Sequence, residues 1–193
     1  MVLVAQHKGR EDSERINHVS GQTFLMTIVA SIILGAIGYF MTPVIVPWFG
    51  ADESVIPGAV SYMQISFLGI FFVFGYSIYQ ALARGVGDAK TPVYIVLGTV
   101  ILNFLLDPLF IYGYGFIPAY GVAGAALATV GTQAIALFAG LIILSRGKRG
   151  IHLKRYNFKP DFPMIKKIFK LGIPSSLEQS SRSIGFILMT GIV

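Results

Sequence analysis

Cysteine is absent from the 193 residues, which excludes disulfide frameworks, thiolate metal sites and cysteine nucleophiles. Charge is scarce, with 12% of residues Asp, Glu, Lys or Arg, against about a quarter in an average soluble domain. Histidine is limited to His7, His18 and His152, each in a polar stretch without the paired spacing of a metal site. No Ser, His and Asp grouping suggests nucleophilic catalysis, so the chain does not read as an enzyme. The short apolar stretch MVLVA is too brief for the core of a signal peptide. It reads as the tail of a helix that begins upstream.

What the sequence has instead is apolar length. Hydrophobic residues make up 54% of the chain, and a membrane span needs about 20 of them in succession. Four such runs, residues 22–46, 60–83, 92–112 and 122–145, are bounded by charge, Pro or Gly. A fifth starts near Ile168 and continues to the end of the chain. Four consecutive runs with short connections would leave a soluble fold little polar surface, so the expected class is an all-α integral membrane bundle.

The net charge of +6 does not point to nucleic acid, because the positive residues fall in the connections. Lys8, Arg10 and Arg15 precede the first run, Arg84 and Lys90 follow the second, and nine Lys or Arg lie between Arg146 and Lys170. Residues 49–59 and 113–121 contain none. The positive-inside rule places the charged connections in the cytoplasm beside anionic membrane lipid, and Asp52 and Glu53 outside.

Thr91 before Pro92 is expected to cap the third helix, with proline in the first turn. In the fourth helix Gly121 with Ala125, Gly124 with Ala128, and Ala136 with Gly140 are small residues four apart, which lets a neighbouring backbone approach. The glycine-rich connection ARGVGDAKTP is not a phosphate loop, because Ala89 stands where glycine must precede Lys90 and no strand leads into it. Asp88 and Lys90 read as turn and interface charges.

The stretch VILNFLLDPLFIYGYG carries the chemistry. Asp107 stands about five residues, or roughly 7 Å of rise, inside the outer end of an apolar span. A carboxylate near such a position costs about 2.5 to 3.5 kcal/mol on insertion scales unless it faces water, binds a cation or is protonated. Asn103 is one turn earlier on the same face, where its amide oxygen would sit beside the carboxylate. Pro108 removes the donor that the carbonyl of Phe104 would use in a regular helix. Carboxylate, amide oxygen and freed carbonyl are the oxygens with which broken helices bind sodium. Asp107 and Asn103 are therefore the candidate cation or proton site.

The truncated fifth run is polar for a span, with Ser175, Ser176, Glu178, Gln179, Ser180, Ser181, Arg182 and Ser183 following Pro174. Glu178, Gln179 and Arg182 are candidates for lining a cavity, and Glu178 and Arg182 are spaced for an ion pair on one helix. The aromatics Phe67, Phe71, Phe72, Phe74, Tyr76 and Tyr79 in the second run offer faces to flat organic cations or pack against lipid and protein.

The run QALARGVGDAKTPVYIVLGTVILNFLLDPLFIYGYG followed by GVAGAALATVGTQ resembles the signature region of multidrug and toxic-compound extrusion (MATE) exporters. VAQHKGRED and KLGIPSSLEQS are similar to the end of that family's second helix and the start of its seventh. The resemblance implies most of one six-helix lobe over residues 1–145, a basic cytoplasmic inter-lobe loop over 146–167, and the start of the next lobe over 168–193. It implies a multi-pass protein of the cytoplasmic membrane that exchanges a small organic, often cationic, compound for sodium or protons and needs no cofactor. It adds Thr129 to Asp107 and Asn103 as a cation-site residue. It also implies a further aspartate on a first helix that this chain lacks. A carboxylate on the seventh helix is replaced, near its position, by Arg182. Lipid-linked oligosaccharide flippases share the architecture, and the isolated piece, without the remainder of the transporter, is expected to be inactive.

Overall fold

A computed structural model describes residues 2–50, 52–115, 117–147 and 150–190, without the side chains of Val2, Arg155, Ser175, Gln179 and those from 182 onward. The chain divides into two compact units, Met1–Phe158 and Lys159–Val193. In the first unit lie α1 (Val2–Gly9), α2 (Ser13–Trp48), α3 (Ile56–Gly85), α4 (Lys90–Tyr112) and α5 (Val122–Arg146), followed by a single 3-10 turn at Arg155–Phe158. The second unit holds α6, Phe162–Thr190. No strand forms among the described residues; Tyr114 and Ile117 make one isolated bridge.

Helices α2 to α5 are each long and apolar enough to cross a membrane. They expose large apolar side chains such as Ile32, Phe40, Val44, Leu97, Ile101 and Phe104, as lipid requires and water would punish. Trp48, Phe49, Tyr112, Tyr114 and Tyr120 are exposed together at the end opposite the basic connections, forming the aromatic belt of a membrane interface. The chain is therefore a multi-pass membrane protein.

The first span is longer than its apolar run. α2 begins at Ser13, nine residues before Gln22, because Asp12 caps it by accepting from the backbone N–H of Arg15 at 3.1 Å. Its polar first turns are then buried, with Ile16, Val19, Ser20 and Gln22 almost inaccessible.

α3 is the centre of the first unit, packing on α2 and α5. Helices in lipid gain little from hydrophobicity and associate through close packing and a few polar bonds of about 0.6 to 1.7 kcal/mol each. Gly140 of α5 lies under the ring of Tyr79, where an added Cβ would meet ring carbon at 2.7 Å, and Gly124 lies against the carbonyl of Phe110 on α4. These are two of the small residues expected at such contacts. Gly121 differs: it is the N-cap of α5, with φ of 56°, and has open space beside it.

Candidate functional site

α4 positions the candidate acid. It starts at Lys90, one residue before the expected cap, and its first turn is held by Asp88. The Asp88 carboxylate accepts from both the backbone N–H and the hydroxyl of Thr91, at 3.1 and 2.9 Å. Thr91 is thus held by Asp88 from one residue before the N-cap position, which Ala89 occupies without a side-chain bond. Farther along, the buried hydroxyl of Tyr76 donates to the carbonyl of Pro92 at 3.0 Å and ties α3 to α4.

Asn103 and Asp107 are both half-buried, on the same side of α4 as the half-buried Ile95, Thr99, Leu102, Leu106 and Phe110. The exposed Val93, Leu97, Val100 and Phe104 form the other side. The two polar residues therefore lie along the flank of the stripe that meets the bundle. They touch: the amide nitrogen of Asn103 donates to Oδ1 of Asp107 at 3.3 Å. The sequence reading placed the amide oxygen there. An ionised carboxylate only accepts, so the amide presents its N–H to it.

Pro108 lies inside α4, which continues to Tyr112, so the carbonyl of Phe104 lacks its helical donor. The end of the helix is closed by the returning connection. Tyr120 and Gly121 donate their N–H groups to the carbonyls of Phe110 and Ile111 at 3.0 and 3.1 Å. With α4 and α5 antiparallel and Gly124 against Phe110, equal rise brings Thr129 within about one turn of the level of Asp107. Thr129 itself is exposed, and among the described residues no hydrogen bond joins it to Asp107 or Asn103. Glu178 is exposed on α6 in the second unit, while the side chains of Gln179 and Arg182 lie outside the described residues.

Among the described residues no group of three His, Asp or Glu side chains is placed to hold a metal ion. Of the α3 aromatics, Tyr76 and Tyr79 are buried and stacked on each other with centroids 5.8 Å apart, so they serve packing. Phe67 and Phe71 line an apolar groove between α2 and α3 with Tyr39 and Phe40.

Sequence reasoning passed over Gln64. Its amide donates to the carbonyl of Tyr39 at 3.4 Å, the carbonyl that Pro43, inside α2, deprives of a donor. A glutamine in an apolar run was the available signal. It also passed over the polar contacts at the basic end, where Asn17 meets His152 and Gln22 meets Asn157.

Comparisons with known proteins agree with this architecture. A family model described as MatE matches residues 1–109. The chain is 33% identical over its whole length to the probable multidrug resistance protein YpnP of Bacillus subtilis strain 168, covering 42% of that protein. Among solved structures it matches an inward-facing conformation of a multidrug resistance MATE family transporter of the MOP superfamily. There the TM-score is 0.82 and the identity 26%, over 95% of this chain and 41% of that one. An outward-facing conformation described in the same terms matches with a TM-score of 0.79 and 27% identity, over 96% of this chain and 40% of that one. The chain thus spans about two-fifths of the length of the relatives it matches.

Proposed function

The chain belongs to the MATE family, and from that membership we propose that it supplies most of the first lobe of a multidrug exporter of the cytoplasmic membrane. In this reading the complete protein exchanges a small organic compound for an external cation, sodium or proton, by alternating access. It moves its substrate and does not transform it.

The observation that carries this reading is the pairing of Asn103 with Asp107 beside Pro108, inside an apolar helix. A hydrogen bond to a charged group contributes about 1.5 to 3 kcal/mol when well formed, and 3.3 Å is long for one. Placing the carboxylate in a span costs about 2.5 to 3.5 kcal/mol. In this reading a bound cation or a proton adds to that one long amide bond in stabilising Asp107. To bind sodium, the Asn103 amide would rotate its oxygen toward the ion, beside the Asp107 carboxylate and the Phe104 carbonyl. Thr129 is proposed as a further oxygen from α5.

A cation drives transport only if it binds the two conformations with different affinity. Neutralising a carboxylate in a low-dielectric span supplies such a difference. The similar match to inward-facing and outward-facing relatives supports a lobe that keeps its shape while its surroundings change.

The test is Asp107→Asn in the complete transporter reconstituted in vesicles. Insertion is expected to be normal and cation-driven efflux of a fluorescent organic cation to vanish. Imposing sodium and proton gradients separately identifies the coupling ion. Undiminished gradient-driven efflux by Asp107→Asn would refute the assignment.

A further inference from the structure

At the basic end of the first unit, residues 151–158 do not behave as a free connection. Ile151 is 2% exposed and Asn157 is completely buried. The backbone N–H of His152 donates to Oδ1 of Asn17 at 2.7 Å. The amide nitrogen of Gln22 donates to the carbonyl of Asn157 at 2.9 Å. Asn157 in turn accepts the N–H of Lys154 with its side-chain oxygen at 2.9 Å, which closes the 3-10 turn on itself.

The fit is close enough to need a glycine. At Gly21 an added Cβ would strike the carbonyl, backbone carbon and Cβ of Asn157, so any larger residue there would push the segment off α2. On its two sides the strap meets different neighbours. Ile151 lies with Tyr79, Ala83, Val86 and Leu144 at the ends of α3 and α5. Phe158 forms part of the wall of a cavity of about 130 Å³ whose other walls include Phe24, Thr27, Ser31, Phe71 and Leu137.

We propose that residues 151–158 are a fixed seal on the cytoplasmic end of the first lobe, with Phe158 as the stopper of the cavity between α2, α3 and α5. The seal denies aqueous access from the cytoplasm through this lobe, so its interior communicates with water by other routes. Two features argue for a fixed part and against a lid. The bond from Gln22 to the carbonyl of Asn157 is buried, where breaking it costs the desolvation of each group left behind. Its contact with Gly21 is backbone against backbone, and such a contact does not slide without losing its fit. The proposal rests on the membrane orientation and on the packing at Gly21, and does not depend on the antiport reading.

None of these 193 residues is cysteine, so a thiol introduced among them stands alone in this segment. In the full chain, Thr27→Cys places one thiol on the cavity wall. Its reaction with a charged, membrane-impermeant thiol reagent is measured in inside-out vesicles, which present the cytoplasmic face. With the strap intact the rate is expected to be at least about tenfold slower than when Phe158→Ala or Gly21→Leu is added. Phe158→Ala changes only an end of the strap and keeps the test usable where Gly21→Leu fails to insert. A rate already fast with the intact strap overturns the proposal, and so does a rate that stays slow when Phe158 is removed. Neither result depends on whether the protein transports anything, so failure of the antiport reading remains a separate outcome.

Discussion

Proline stands inside two spans, at Pro43 and Pro47 of α2 and at Pro108 of α4, and the breaks at Pro43 and Pro108 are resolved differently. In α2, Pro43 frees the carbonyl of Tyr39, and Gln64 of the neighbouring α3 donates to it at 3.4 Å. In α4, Pro108 frees the carbonyl of Phe104, and among the described residues no side chain donates to it. There the polar neighbours are an acid and its amide, Asp107 and Asn103. The first break is closed by protein and reads as structure. At the second, the freed carbonyl stands one turn from an acid and its amide, the groups from which the cation site is proposed. Proline in an apolar helix is thus no sign of function by itself; the chemistry of its companions decides.

The sharpest way to break this contrast is to remove each proline in turn. Pro108→Ala restores the donor to Phe104 and takes that carbonyl out of reach of an ion, so cation-driven efflux is expected to fall about tenfold, the equivalent of 1.4 kcal/mol. Pro43→Ala is expected to leave the same efflux within twofold. Equal effects of the two would dissolve the distinction.

A smaller effect is expected at Gln64. Gln64→Leu leaves the Tyr39 carbonyl without a donor and should lower thermal stability in detergent by about 1 kcal/mol, the scale of a polar bond between membrane helices. Combining it with Pro43→Ala restores the helical donor, and most of the loss should return. Independent, additive losses would mean that Gln64 acts elsewhere.

The smallest effect belongs to the connection between α2 and α3. There the backbone N–H and hydroxyl of Ser54 donate to Asp52 at 2.9 and 2.8 Å. These bonds, the backbone one first, hold the Asp52 carboxyl below its usual value. A depressed folded-state value means that any stability from this turn is present above the ordinary carboxylate range and is lost as pH falls through the depressed value. Ser54→Ala should move the Asp52 titration upward, as followed by NMR, with no measurable change in melting at neutral pH, because the side chain is fully exposed to water.

Much of the fold is legible in the sequence. The expected runs 60–83, 92–112 and 122–145 fall within α3, α4 and α5, because apolar length is a local property that the bilayer reads directly. The start of α2 was not, since residues 13–21 are polar and become helical core only where Ile16, Val19 and Ser20 are covered. The fifth run was expected from Ile168, whereas α6 begins at Phe162. Asp161 caps it by accepting the N–H of Met164 at 3.2 Å, and an apolar count is blind to such a polar start. Of the candidate site, the Asn103 and Asp107 pair was readable because residues four apart on one helix are neighbours in any helix.

By itself the sequence determined the number and rough extent of the apolar spans, their alternation through the charge rule, and the one-helix pairing of acid with amide. Each depends on neighbours within a few residues or on a run long enough for lipid to recognise. Only the tertiary structure decided that Gln64 closes the break at Pro43, that Tyr79 fills the space above Gly140, and that residues 151–158 seat against Gly21 and Gln22. Those contacts join residues far apart in the chain, and their existence rests on shape and on the pairing of buried polar groups, which no local pattern encodes.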